Sequence, residues 1–122
     1  MARILLIDDE KMVRETFSML LESAGHSVDQ AEDGVAGVAH FKKQRPDLVI
    51  TDIFMPEQEG IGTILAIREL DAKVPIIAVT GGSGAELNLT SATKLGATRA
   101  LLKPVRKDAL LVAVDESLGA GG

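Results

Sequence analysis

The chain has 122 residues, room for one domain with a core of ordinary size, and 46% of them are hydrophobic. The absence of cysteine excludes a disulfide framework, thiolate chemistry and any cysteine-ligated zinc site. Lys and Arg number 13 against 18 Asp and Glu, a net charge of −5 that argues against a nucleic-acid-binding surface. Phe17, Phe41 and Phe54 are the whole aromatic content, so the expected core is aliphatic. The opening MARILLIDDE carries too short an apolar run for a signal peptide or a membrane span, and a soluble cytoplasmic protein is expected.

The apolar pattern alternates between two periods. ILLI (4–7) is a continuous short run, as in a strand buried on both faces. The segment 11–25 then places Val13, Phe17, Leu20, Leu21 and Ala24 on one helical face, with Gly25 as its stop. HSVDQA (26–31) is a more polar strand, expected near an edge, and EDG (32–34) reads as a turn and helix start. A second helix over 34–44 offers Val35, Val38, Ala39 and Phe41; the basic FKKQRP (41–46) reads as its solvated end. DLVIT (47–51) is the third strand, and a third helix over 61–70 follows through Ile61, Ile64, Leu65 and Ile67.

VPIIAVT (74–80) is a fourth strand entered by Pro75, where a missing N–H does least harm. After GGSG (81–84) a fourth helix is expected over roughly 85–95, ended by Gly96. RALL (99–102) is a fifth strand and 107–118 a fifth helix. Five strands alternating with five helices predict a parallel sheet covered on both faces, a doubly wound α/β domain over 1–118. GAGG (119–122) is expected as a flexible tail.

In such sheets ligands bind beyond the C-terminal ends of the strands, so the residues there carry the information. The first strand ends in Asp8-Asp9-Glu10, the third in Asp52, the fourth in Thr80-Gly81-Gly82 and the fifth in Lys103-Pro104. Acids gathered on one rim repel one another and raise each other's pKa unless positive charge compensates. Lys103 supplies one such charge. A hard, oxygen-preferring divalent cation would supply the rest, and Mg2+ suits the few protein oxygens better than Ca2+. Asp52 stands apart from the acidic pair and faces a lysine and a hydroxyl, the setting of a carboxylate that attacks phosphorus. Lys103, Thr80 and nearby backbone N–H groups would then hold the transferring oxygens.

IDDE after the first strand, DIFMP at the third, VT ending the fourth and LLKP ending the fifth together resemble the receiver domain of bacterial two-component response regulators. The likeness covers essentially the whole chain, in order. It implies a flavodoxin-like (βα)5 fold of strand order 2-1-3-4-5. It also implies that Asp52 accepts a phosphoryl group from a phosphohistidine on a sensor histidine kinase or a histidine phosphotransfer protein. Asp9 would bind Mg2+ directly and Asp8 mainly through water, with Asp52 and the backbone carbonyl of Phe54 completing the protein's ligands. Thr80, Gly81 and Lys103 would form the phosphoryl-binding and switch group, and the Lys103–Pro104 bond would be cis. Output would pass to a downstream protein, or to an output domain outside this chain, through the fourth helix, fifth strand and fifth helix. Neither direct nucleic-acid binding nor membrane association is expected.

Three departures from the family pattern matter. Ala100 stands where receivers usually carry Tyr or Phe, so output is expected to rely on reordering of the loop after Thr80 and of the fourth helix. Gly82 beside Gly81 makes that loop more permissive than usual. Phe54, two positions past the acceptor, is expected to slow phosphoryl loss by hindering hydrolytic water; Glu59 replaces a common Asp.

Each site residue has an ordinary alternative. Asp9 could cap the first helix, Thr80 could be a plain β-branched strand residue, and Lys103 a surface lysine. Their joint placement favours a site. A haloacid-dehalogenase-like phosphatase would need an acid at Phe54, and a flavin protein would want a non-acidic first loop and a Trp or Tyr. No turnover of an external substrate is therefore expected. The remaining alternative is a pseudo-receiver acting only as an interaction module.

Overall fold

A computed structural model of the chain describes residues 2–53, 60–81 and 92–121. Its strands are β1 (Arg3–Ile7), β2 (Ser27–Ala31), β3 (Leu48–Asp52), β4 (Ile76–Thr80) and β5 (Arg99–Leu102). They pair in parallel as one sheet of order β2-β1-β3-β4-β5, which is the expected order. The helices are α1 (Lys11–Ser23), α2 (Gly34–Lys43), α3 (Gly60–Leu70), the helical residues 92–95 that form α4, and α5 (Lys107–Gly121). The remainder of the fourth helix expected over 85–95 lies outside the described residues, as does GSG (82–84).

The order explains the strand compositions. β3 and β4 lie inside the sheet and are buried at every position. β2, at one edge, exposes Ser27 and Gln30, and β5, at the other, is only half-buried before an exposed Leu102. Alternate side chains feed two cores. Leu5, Ile7, Val49 and Ala78 pack with Phe41 of α2 and Ile64 and Ile67 of α3. Ile4, Leu6, Ile50 and Val79 pack on the other face with Phe17 and Leu21 of α1 and Leu110 and Val114 of α5. A Val, Leu, Ile or Phe side chain fully buried in these cores contributes about 1.5–3 kcal/mol.

Helix ends follow local chemistry. Asp33 caps α2 by accepting the Ala36 N–H at 2.7 Å, an interaction worth about 1 kcal/mol. Gly25 (φ 97°) and Gly96 (φ 130°) follow α1 and α4 in the left-handed region that suits glycine.

Four positions expected inside are outside. Val35 is 61% exposed and Leu65 44% exposed, while Ala39 and Ala24, the C-cap of α1, also face solvent. In α2 the buried positions are Gly34, Gly37 and Phe41. A β-carbon on Gly37 would collide with the Ile7 side chain, so the helix backbone itself rests on β1 and its valine points away. The last helix runs to Gly121, so residues 119–121 of the expected tail carry helical backbone. Nothing lies within 4 Å of where a Gly119 β-carbon would be, and no packing interrupts the helix there.

Candidate functional site

The sheet's register brings the informative residues to one rim. Asp52 is the last residue of β3, one position later than the expected strand end, and sits beside Val79 of β4. Asp8 directly follows β1 and its N–H donates to the Ala31 carbonyl of β2 at 3.1 Å. Lys103 directly follows β5, and its N–H donates to the Thr80 carbonyl at 2.7 Å, fixing it across the end of β4.

From there the Lys103 ammonium reaches back over the sheet. Nζ lies 3.2 Å from Asp52 Oδ2 and 3.4 Å from Asp8 Oδ2. Both carboxylates are nearly enclosed, with Asp8 2% and Asp52 4% exposed. Asp8 is tied further: its Oδ1 accepts the Glu10 N–H at 2.9 Å, and its carbonyl accepts Arg14 Nη1 at 2.7 Å. Burial raises the Asp8 pKa and outweighs the Glu10 N–H that lowers it; the Asp52 charge pushes the same way as burial, and Lys103 opposes it. Lys103 shows the converse balance. Burial alone would lower its pKa, but Asp52 and Asp8 together raise it, so the ammonium stays charged.

Asp8, Asp9 and Glu10 place carboxylate oxygens within 4.8 Å of one another. Asp9 and Glu10 are exposed, and Glu10, not Asp9, is the N-cap of α1, with no side-chain capping bond. Glu10 belongs to this trio although the sequence reading assigned ligand roles only to its neighbours. Asp52 faces the same opening, a cleft of about 660 Å³ bordered by Asp9, Glu10, Gly81 and Lys103 and, on its apolar side, by Met12, Phe17 and Val105.

Thr80 ends β4 with its side chain fully buried, and among the described residues its hydroxyl has no hydrogen-bond partner. The Lys103–Pro104 peptide bond is cis. Ala100 pairs with Ala78 and packs half-buried against the core that α3 covers. Phe54, Glu59 and Gly82 lie outside the described residues. His40 of α2 has Nε2 3.2 Å from Asp29 Oδ2 of β2 and does not line this cleft.

Over residues 4–115 the chain matches the family model of the response regulator receiver domain. The chain belongs to that family. It is 36% identical to the chemotaxis protein CheY of Halobacterium salinarum, across 97% of this chain and 98% of that protein. It is 35% identical to the transcriptional regulatory protein GlrR of Escherichia coli, across 96% of this chain but 26% of that longer protein. A receiver domain protein from Clostridium thermocellum superposes with a TM-score of 0.92 at 31% identity, covering 98% of this chain and 96% of its own. The receiver domain is the signalling module of two-component response regulators, and the rim described above fits a phosphoacceptor role. These relatives lend no support to the pseudo-receiver alternative. Among the described residues no helix is long and apolar enough to cross a membrane.

Proposed function

We propose that Asp52 is the phosphoacceptor of this receiver domain, charged from a phosphohistidine on a sensor histidine kinase or a histidine phosphotransfer protein. One observation carries the reading: Lys103 sets a single ammonium between Asp52 and Asp8, drawing three distant chain segments together at an open cleft. A solvated lysine would have no reason to be held there.

The donors around the cleft are carboxylate oxygens, the chemistry a hard divalent cation prefers. Asp8, Asp9 and Asp52, with Glu10 beside them and the Phe54 carbonyl, would hold Mg2+. When bound, the cation supplies neutralising charge to the oxygens of the transferring group. An ionised oxygen of Asp52 attacks phosphorus and the bond from phosphorus to the donor ring nitrogen breaks. The electron pair of that bond stays on the ring, which leaves as neutral imidazole because its other nitrogen keeps a proton. Lys103 balances the charge that shifts onto the phosphoryl oxygens, and the Thr80 hydroxyl and Gly81 N–H donate to them.

Domain 1–118 then acts as a switch in the cytoplasm. Modification of Asp52 alters the affinity of the α4–β5–α5 surface for a downstream protein or an attached output domain. With Ala100 in β5, the relay runs through the loop after Thr80 and through α4 rather than through an aromatic ring. The chain promotes its own modification and turns over no external substrate.

Incubation with Mg2+ and acetyl phosphate, followed by intact mass, tests this. One phosphoryl adduct that is absent in Asp52→Asn is expected. An adduct that persists in Asp52→Asn would refute the assignment.

A further inference from the structure

The connection between β1 and α1 carries the acidic trio, and one side chain of the helix reaches back to it. Asp8 follows Ile7, the last paired residue of β1, and its N–H donates to the Ala31 carbonyl at 3.1 Å. The Asp8 carbonyl has no such place. It lies past the strand and before Glu10, the N-cap of α1, so neither the sheet nor the helix ladder supplies its donor. Arg14 Nη1 does, at 2.7 Å. Arg14 also donates its own N–H to the Glu10 carbonyl at 3.1 Å, closing the first turn of α1. One residue thereby holds a carbonyl on each side of Asp9.

Asp9 depends on that hold. It is exposed, and among the described residues its carboxylate has no hydrogen-bond or ion-pair partner. Where the carboxylate points therefore follows from the backbone that carries it. The peptide unit joining Asp8 to Asp9 is planar, so fixing the Asp8 carbonyl fixes the Asp9 nitrogen and Cα as well. The Asp8 carboxylate is held differently, by the Glu10 N–H and Lys103. Burial, the Glu10 N–H, Asp52 and Lys103 shift its pKa, and Arg14 is not among the causes. The guanidinium acts on the main chain.

We propose that Arg14 is a positioning residue for the cation site: by holding the Asp8 carbonyl, it aims the Asp9 carboxylate into the cleft beside Asp8 and Asp52. This rests on the reading of the rim as the Mg2+ and phosphoryl site. The sign of the effect separates positioning from charge. A guanidinium near a divalent cation repels it, so as a charge alone Arg14 would weaken Mg2+ binding. As a positioning group it strengthens it.

The test compares wild type with Arg14→Met and Arg14→Gln, both neutral at that position. Mg2+ affinity is measured by calorimetry, phosphorylation by acetyl phosphate across Mg2+ concentrations by intact mass, and stability by urea unfolding. Both variants should bind Mg2+ about tenfold more weakly, as when a group that orients a metal ligand is lost. Phosphorylation should slow by the same factor at limiting Mg2+ and stay within about threefold of wild type at saturation.

An arginine with a merely structural role would lower the urea midpoint and leave Mg2+ affinity in place. Equal or tighter Mg2+ binding in the folded variants would therefore overturn the proposal, and Arg14→Gln carries the same sign test should Arg14→Met fail to fold. Wild type that bound Mg2+ but accepted no phosphoryl group would refute the phosphoacceptor reading instead, and calorimetry would still decide the role of Arg14.

Discussion

Asp8 and Asp71 have the same side chain, stand in connections at opposite ends of the sheet, and have pKa values shifted in opposite directions. Asp8 is at the C-terminal rim, where burial outweighs one backbone N–H and one shared lysine, and its carboxyl is raised. Asp71 is at the opposite end, between α3 and β4, and its carboxyl is lowered. The Lys73 N–H is the main cause; burial opposes it, and the Val74 N–H, Arg45 and Arg68 add to the lowering.

Arg68 completes that lower cluster, donating to the Gly96, Asp71 and Val74 carbonyls at 2.9, 3.2 and 2.6 Å. The lower end spends its charges on backbone groups that would otherwise go unpaired, and so ties α3, β4 and the turn before β5 together. The rim instead sets charged groups against each other and leaves them facing a cleft. One end ties its charges to backbone groups; the other leaves them facing a cleft.

The largest expected effect breaks the rim. Lys103→Met should slow phosphorylation by acetyl phosphate about a hundredfold to a thousandfold, as loss of one charged donor to a developing anion does. Rates by intact mass check this. Arg68→Met breaks the lower end. It should cost about 2–3 kcal/mol in urea unfolding, since its carbonyls lose a charged donor, while leaving the phosphorylation rate within about twofold. A large rate loss in Arg68→Met would mean that the two ends are not separable.

Asp71→Asn sharpens the contrast by pH. The folded carboxyl lies below its unfolded value, so its stabilisation is present above about pH 4 and is lost as pH falls through the folded value. Asp71→Asn should therefore be less stable than wild type by about 1 kcal/mol at neutral pH, and that gap should close on acidification below about pH 4. The smallest effect has the opposite sign. Asp8→Asn removes a charge that burial disfavours and should raise metal-free stability by about 0.5–1 kcal/mol in urea unfolding. An Asp8→Asn protein that unfolded more easily would show that the rim charges stabilise the fold.

The sheet was legible because its strands are short, mostly apolar runs separated by longer helical segments; RALL matches β5 at both ends. The rim was legible because a parallel sheet turns sequence position after each strand into nearness in space. What escaped the sequence involves contacts without a periodic signature. Counting apolar residues put Val35 inward, whereas α2 meets β1 through Gly37, a close approach that hydrophobicity does not register. Leu65 failed the same way on α3, where fully buried Thr63 takes an inward place. Arg68 gave no signal either, because its partners are carbonyls that every residue carries. Asp8, Asp52 and Lys103 were placed together by topology, but the sharing of one ammonium needed side-chain geometry to see.

The account turns on which atom is modified. After loading with acetyl phosphate and Mg2+, borohydride reduces an aspartyl phosphate to homoserine, and peptide sequencing then reads the position. The account predicts homoserine at position 52 and at no other acidic residue. Reduction at Asp8 or Asp9, or a phosphoryl group on a hydroxyl that borohydride leaves untouched, would contradict it.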